Sequence, residues 1–170
     1  MSGRARLIVA LLAAVPLAGC GLTPLYTGGG AGPIAATLGE VEVMPIDGKA
    51  GWLVGGALNE RLKAIGGGAA RYRLNVRLDD KIVGLGARSD DSVARERRTL
   101  RARYQLIDAA SGSVVLDATA GSDAGIDVVG SEYATIAAES TALERLSETI
   151  ADQIVARLAL YARRTQPPKS

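Results

Sequence analysis

Few residues of this 170-residue chain could carry out covalent chemistry. It contains one cysteine, Cys20, and no histidine, which excludes Ser-His-Asp and Cys-His catalysis and any histidine-ligated zinc site. A lone thiol builds neither an intrachain disulfide nor a cysteine-rich metal cluster, and no Ser-x-x-Lys run indicates a Ser-Lys hydrolase. We therefore expect a protein that is not an enzyme and that uses no metal and no cofactor.

The remaining chemical motifs are weak. Asp79 and Asp80 are adjacent on a predicted strand, so their side chains point to opposite faces and do not converge on one ion. Asp90 and Asp91 lie in a segment without the calcium-binding EF-hand pattern. The glycine triplets fit neither a P-loop nor a dinucleotide fingerprint. The 20 basic and 18 acidic residues leave a net charge of +2, too small to indicate a nucleic-acid-binding protein.

Cys20 lies in a context that favours lipid attachment. Residues 7–16 form an apolar run of signal-peptide length, well short of the ~20 residues that span a bilayer. Leu-Ala-Gly-Cys follows at 17–20 and resembles the lipobox of bacterial lipoproteins. The resemblance implies that residues 1–19 are removed and that Cys20 receives acyl chains, which anchor a protein stably when two or more are present. Gly21, at a position where Asp favours inner-membrane retention, indicates the outer membrane by analogy. An ordinary signal peptide that happens to end in cysteine is the alternative.

Hydropathy periods predict the elements of the mature chain. Residues 20–39 are rich in Gly and Pro and are interpreted as the lipidated N-terminus and tether, residues 40–164 as one domain, and residues 165–170 as a disordered tail. Within the domain, periods of two and 3.6 predict strands and helices. The predicted elements are a strand at 40–44, a helix at 52–65, a strand at 71–79, a polar loop at 84–94, a strand at 99–106, a hairpin turn at 108–113, an irregular strand at 114–129 and a helix from Ser131 to Arg164.

Both predicted helices are apolar on one side only. Trp52 is interpreted as a core anchor of the first helix, and the core face of the last helix is predicted to include Ile136, Leu143, Leu146, Ile150, Ile154, Leu158 and Tyr161. The strands also have one apolar face. The simplest architecture is an α+β two-layer sandwich, with two helices on one face of a four-stranded, mostly antiparallel sheet in the order β-α-β-β-β-α.

Arginines recur at every second position on two strands of this sheet. Arg71, Arg73 and Arg77 share the polar side of one strand, and Arg101 and Arg103 share that side of another. If the strands pair, these five arginines form a stripe on the open face of the sheet, where they could contact an anionic ligand or an acidic partner wall. Solubilising an exposed sheet face is the alternative role. Charge is also segregated along the chain, with net +4 at 71–108 and net −7 at 109–152.

Several segments resemble the lipopolysaccharide-assembly lipoprotein family of the LptE type. They are the Cys-Gly-Leu-Thr-Pro-Leu-Tyr start at 20–26, the Arg/Leu strand at 71–78, Tyr-Gln-Leu-Ile-Asp at 104–108, and Ser-Glu-Tyr-Ala at 131–134. Leu22 replaces the aromatic residue that is usual in the family. The resemblance implies a lipoprotein in the outer membrane that faces the periplasm, plugs a large β-barrel partner of the LptD type, helps it assemble, and binds lipopolysaccharide during export.

Two other functions remain open from the residues alone. One is a lipoprotein that regulates a periplasmic cell-wall synthase, and the other is an auxiliary subunit of another lipid transport system. A regulator that crosses the periplasm needs a long arm, whereas residues 21–39 reach under ~70 Å even when fully extended. The tether therefore favours action near the membrane.

Overall fold

The computed structural model describes residues 32–65, 68–87 and 93–165. The elements along the chain are α1 (Pro33–Gly39), β1 (Val41–Val43), α2 (Gly48–Ile65), β2 (Tyr72–Ala87), β3 (Val93–Asp108), β4 (Val114–Asp127) and α3 (Glu132–Thr165). The strands form one sheet in the order β1-β2-β3-β4. β1 runs parallel to β2, and the other neighbours are antiparallel. This topology confirms the predicted α+β class with a mostly antiparallel sheet.

The core lies between the sheet and the helices. Alternate residues of β2 and β3 point towards the helices, among them Leu74, Leu100 and Tyr104, and all three are buried. α3 contributes Ile150 and Ile154 to the same cluster. We call this side of the sheet the inner face and the opposite side the open face. The two-layer arrangement follows from the one-sided patterns, because each element buries only its apolar side.

The predicted tether ends too late in the chain. Residues 33–39 form helix α1, which packs against α2 and α3 and buries Ala35 and Leu38. The packed structure therefore includes α1 and begins before residue 40, where the sequence predicts the domain to start. The segment is rich in Gly and Pro, which favoured the tether prediction. It also contains Ile34 and Leu38, whose spacing of four residues is about one helical turn.

The hairpin between β2 and β3 is longer than predicted. Residues 84–94 were expected to form a polar loop, yet the strands stay in register from Gly84 opposite Glu96 and Leu85 opposite Arg95 to the end of β2. β4 pairs with β3 in unbroken register from Leu116 to Asp127, after one irregularity at its start, where Val114 lies opposite Ile107. The residues of this hairpin arm lack the apolar alternation on which the strand prediction depends, and its apolar residues Ile82 and Val83 are exposed.

Helix α3 begins as predicted, but its first turns are uncovered. The Ser131 Oγ accepts a hydrogen bond from the Ala134 N–H at 3.4 Å, which confirms Ser131 as the N-cap. α2 runs parallel to α3, because Lys49 bonds Ser140 and Arg61 bonds Asp152. α2 starts beside Ser140, so the two turns of α3 before that point project past it. Ile136, predicted to be in the core, is therefore 54% exposed.

Trp52 is also outside the core, contrary to the prediction. Its side chain is 77% exposed. The sheet-facing side of α2 is formed instead by its neighbour Gly51, whose missing Cβ leaves room for the backbone of Ile46, and by Val54 and Leu58. Trp52 is left on the outer side of the helix.

No helix within the described ranges is both long and apolar enough to cross a bilayer.

One residue of α3 bonds to the outer edge of the sheet. The Gln153 side chain accepts from the Gly121 N–H at 3.1 Å and donates to the Gly121 carbonyl at 3.3 Å. These are the two backbone groups that a further strand would bond beside β4. Gln153 therefore takes the place of a neighbouring strand at the middle of this edge.

Candidate functional site

The open face of the sheet carries the predicted arginines. The register places Arg77 directly opposite Arg103, and Asp79 opposite Arg101. Arg73 lies on the same side of β2, and all four arginines are exposed. Since β-strand side chains alternate between faces, the strand pattern correctly places these four arginines together on the open face.

Aspartates of β4 pair with three arginines of β3. Arg103 donates from Nε to Asp117 Oδ1 at 3.2 Å and from Nη2 to Asp117 Oδ2 at 2.9 Å, a two-bond fork. Arg101 Nη2 donates to Asp123 Oδ1 at 3.1 Å. Further along the same strands, Arg95 pairs with Asp127 at 3.2 Å. The basic and acidic segments of the sequence therefore lie side by side in the folded sheet.

The Arg103–Asp117 pair shifts both pKa values in the directions expected of an ion pair. The hydrogen bond to Arg103 lowers the pKa of Asp117, and the Gln105 amide, which donates to Asp117 Oδ2 at 2.8 Å, lowers it further. The same bond raises the pKa of Arg103. Both side chains therefore stay charged at neutral pH, and their charges largely offset each other.

Arg73 and Arg77 on β2 differ from Arg101 and Arg103 on β3. Within the described part of the chain, no carboxylate pairs with Arg73 or Arg77. The carboxylate of Asp79, which is nearby on the same face, bonds instead to Lys81 at 2.8 Å. Arg73 and Arg77 thus form no salt bridge with a described carboxylate, although Glu42 of β1 lies opposite Arg73 in the register.

Arg71 does not belong to the same cluster. It precedes β2, and its guanidinium lies 5.1 Å from the ring centroid of Tyr72, within the range of a cation–π contact. Its Nε is also 3.8 Å from Asp108 Oδ2. The predicted five-residue stripe is therefore a group of four arginines, with Arg71 engaged at the end of the sheet.

A shallow cavity of about 620 Å³ opens on this face across β2, β3 and β4. Three arginines line it: Arg77, Arg101 and Arg103. Its floor includes Gly121, and a Cβ at that position would overlap the Arg101 side chain. The glycine thus lets Arg101 lie across β4 towards Asp123. Such a cavity has donors for the forked hydrogen bonds that phosphate and carboxylate groups accept.

Sequence reasoning missed the β4 side of this site. Asp117, Gly121 and Asp123 were not singled out, although their spacing by even numbers along one strand places them on one face. That parity is the signal that could have found them. Using this signal required knowing that β4 keeps an unbroken register with β3 from Leu116 to Asp127, whereas the sequence predicts an irregular strand.

The aspartate pair on β2 is split between the two faces, as predicted. Asp79 bonds to Lys81 on the open face. Asp80 points to the inner face, where Arg98 donates to it from Nε at 2.9 Å and from Nη2 at 2.6 Å. The two carboxylates therefore do not form a common site. Cys20, the predicted lipidation site, lies outside the described residues.

Comparison with known proteins identifies the family. The family model described as LptE, lipopolysaccharide-assembly, matches residues 38–158. The chain belongs to the LptE family. The match extends from the end of α1 to the last turns of α3, so it includes the whole sheet and the candidate site. A search of curated proteins gave no significant match.

Solved lipoproteins share the fold. A putative lipoprotein from Caulobacter crescentus aligns with a TM-score of 0.64 at 24% identity, over 80% of this chain and 99% of that one. A minor lipoprotein from Acinetobacter baumannii aligns at 0.59 and 15% identity, over 75% and 97% of the two chains. The rare lipoprotein B from Shewanella oneidensis aligns at 0.54 and 14% identity, over 74% and 96%. At these identities the likeness establishes a common architecture.

Proposed function

We propose that this LptE-family chain is an outer-membrane lipoprotein, acylated at Cys20, that plugs a large β-barrel of the LptD type. In this role it assists assembly of the barrel and the insertion of lipopolysaccharide into the outer membrane. The family match over residues 38–158 is the observation that carries the proposal. The proposal assigns no covalent reaction and no cofactor.

The open face supplies the chemistry for such a role. Lipopolysaccharide presents phosphates and acidic sugars, and arginine binds such groups through charge-assisted hydrogen bonds. Arg73 and Arg77 are the first candidates for contact with the lipid or with the barrel lumen, because the described residues leave their charge unpaired. Arg101 and Arg103 are second candidates, since a ligand there must compete with Asp123 and Asp117. Arg71, also predicted to contact the ligand, lies at the margin of this surface.

Co-purification tests the barrel partnership. We expect the full chain, extracted from membranes in mild detergent, to bring down a large β-barrel in stoichiometric amount. A Cys20→Ala chain serves as the control for the anchor, and we expect it to accumulate as unprocessed or mislocalised precursor. Recovery of a cell-wall synthase, or of no partner, would contradict the plug role. Normal outer-membrane fractionation of Cys20→Ala would contradict the acyl anchor.

Paired substitutions test direct binding of lipopolysaccharide. We expect Arg73→Ser with Arg77→Ser to weaken binding by at least about tenfold, since the loss of even one charge-assisted hydrogen bond has that effect. Arg101→Ser with Arg103→Ser should weaken it less, because these side chains already bond to aspartates. Arg163→Ser with Arg164→Ser, in the last turn of α3, is the matched control. Equal affinity of all folded variants for purified lipopolysaccharide would eliminate the open face as the binding surface.

A further inference from the structure

One edge of the sheet is open over most of its length. β1 pairs with β2 only from Tyr72 to Leu74, and the Met44 N–H makes the last bond of this pairing, to the Leu74 carbonyl at 3.0 Å. β2 continues to Ala87, and beyond Leu74 its only strand partner among the described residues is β3. We call residues 76–84 of β2 the free edge. It offers another chain about 30 Å of unpaired strand.

The backbone of the free edge points away from β3 at every second residue. The Tyr72 N–H donates to the Glu40 carbonyl at 3.0 Å and the Leu74 carbonyl accepts from Met44, so the even-numbered residues bond on the β1 side. Backbone groups alternate between the two sides of a strand, so the later even-numbered residues face the free edge. They are Val76, Leu78, Asp80, Ile82 and Gly84. Their N–H and C=O groups form no ladder with a described strand.

The two edges of the sheet differ in protection. At the β4 edge, the Gln153 side chain bonds both backbone groups of Gly121. Within the described ranges no side chain does the same for the free edge, and every residue from Asp79 to Gly84 is exposed. Proteins usually cover or block a bare strand edge, because another chain can pair with it. An edge left open beside one that is blocked therefore favours a partner strand.

The side chains of the free edge indicate which strand would fit it. On the inner face Val76 is buried and Leu78 packs against the core while partly exposed, so apolar residues fit beside them. On the open face Arg77 forms no salt bridge with a described carboxylate. Side chains of neighbouring strands lie about 5 Å apart, and opposite charges there stabilise the pairing. An acidic residue therefore fits beside Arg77.

A carboxylate of β3 adds a second charge to be matched. Glu96 lies opposite Gly84 in the register, on the inner face, and its Oε2 is out of water without a hydrogen-bond partner among the described residues. Gly84 has no side chain to separate Glu96 from the free edge. A residue of an added strand beside Gly84 is two strand spacings from Glu96, about 10 Å. A long basic side chain at that position can pair the orphaned oxygen.

A second copy of this chain does not supply both charges. On β2 the acidic residue of the same face as Arg77 is Asp79, and a register that sets it beside Arg77 sets Tyr72 or Gly86 beside Gly84, in the antiparallel and parallel cases. The other edge strands, β1 and β4, contain no basic residue. The free edge therefore suits a strand from a different protein.

We propose that an extended segment of the β-barrel partner adds to the free edge as a further strand, with an acidic residue beside Arg77 and a basic residue beside Gly84. Main-chain bonds to β2 supply the affinity, and the alternating side chains fix the register. The inference rests on the proposed plug role, since it specifies how the barrel holds the chain. A plug enclosed by its barrel keeps such an edge away from other chains, which explains why the edge needs no blocking residue.

Hydrogen exchange of single amides tests the proposal on the full mature chain, with and without its co-purified barrel. We expect the amides of Ile82 and Gly84 to exchange at least about tenfold more slowly in the complex, because each gains a backbone bond. The amides of Thr119 and Asp123, which point outward from β4 as that of Gly121 does, should keep their rates. They are the internal control for general shielding by the barrel.

The possible failures are distinguishable. Unchanged exchange at the free edge of a chain that holds its barrel overturns the added strand and leaves the plug role standing. Equal slowing at both edges would show general shielding, and slow exchange before the barrel is present would show pairing between copies; either result overturns the proposal. A chain that recovers no barrel contradicts the plug role and this inference together.

Substitutions test the same contact through the affinity for the barrel. Ile82→Pro removes one N–H from the free edge and leaves the bonds to β3 in place, since proline is tolerated on an edge strand. We expect about fivefold weaker binding, whereas Thr119→Pro, the matched change on β4, should leave binding unaltered. Glu96→Met should also weaken binding, although it removes an unpaired oxygen and so does not destabilise the free chain. Equal affinity of these folded variants and the parent protein overturns the proposal.

Discussion

The two faces of the sheet carry the same kind of ion pair in different surroundings. On the inner face, Arg98 forks onto Asp80 and also donates to the Glu139 carbonyl of α3 at 2.9 Å. On the open face, Arg103 forks onto Asp117 with similar distances. The Arg98 side chain is 12% exposed, whereas the Arg103 side chain is 67% exposed. The inner pair joins the hairpin to α3, while the open pair is in water and can be exchanged for a ligand.

This difference shows which ion pairs of the protein can be replaced without unfolding it. An ion pair that is out of water is costly to break, because one charge is left without a partner. An exposed pair gains little, because water and salt screen it. The open face is therefore free to vary its contacts, and the inner face is not.

The largest contrast should come from adjacent residues of β2. Leu74 is fully buried on the inner face, and we expect Leu74→Ala to lower the free energy of unfolding by about 2–5 kcal/mol through lost burial and a cavity. Arg73→Ala, on the open face, should change it very little. Urea denaturation of both variants measures the difference. Equal losses would mean that the open face is also packed against something.

The next largest contrast in stability should come from the two ion pairs. We expect Arg98→Met to lower the free energy of unfolding by about 1–3 kcal/mol, because Asp80 and the Glu139 carbonyl lose their donors. The matched variant Arg103→Met should lower the free energy of unfolding by much less. Double-mutant cycles with Asp80→Asn and Asp117→Asn isolate the two coupling energies. A larger coupling for the open pair would reverse the comparison.

We expect the ion pair between Arg103 and Asp117 to contribute a small part of the loss of stability at acid pH. The pKa of Asp117 is lowered in the folded protein by Arg103, below its ordinary value of 3.8. Its stabilising effect is therefore complete above that value and is lost as the pH falls through the folded pKa. We expect Asp117→Asn to lose less stability than the parent protein between pH 5 and acid conditions, measured by urea denaturation at each pH. Parallel curves for the two proteins would show that the pair does not contribute.

Asp108 offers a control for this acid response. The Ser111 N–H and hydroxyl lower the pKa of its carboxyl in the turn between β3 and β4, without a strong ion pair. Asp108→Asn should therefore also flatten the acid response, but high salt should alter its effect less than that of Asp117→Asn, because Arg71 contributes least to the lowered pKa of Asp108. High salt should weaken the effect of Asp117→Asn on the acid response, since the lowered pKa of Asp117 depends on the opposite charge of Arg103.

Much of the fold follows from local patterns. Alternation on β2 and β3 separated Leu74 and Tyr104 from Arg73 and Arg103, because each strand has only two sides. The N-cap at Ser131 and the length of α3 were also predicted, since capping chemistry and a 3.6-residue period are properties of the helix alone.

The errors concern relations between elements. Whether Ile136 is buried depends on where α2 starts, and that position is a fact about another segment. The pairing of Arg103 with Asp117 depends on the register of β3 against β4, which no single strand encodes. Trp52 shows the same dependence, because Gly51 beside it occupies the tight approach to Ile46. The open face could thus be predicted as basic, but its partly neutralised state could not.

The double hydrogen bond between Gln153 and Gly121 protects the outer edge of the sheet from pairing with other chains. A bare strand edge invites another chain to lengthen the sheet, and such growth leads to aggregates. With its midpoint occupied, β4 offers an incoming strand only the short runs 114–119 and 123–127 on either side. The side-chain amide of Gln153 thus reduces the tendency of the protein to aggregate, because it divides one long exposed strand edge into two short ones.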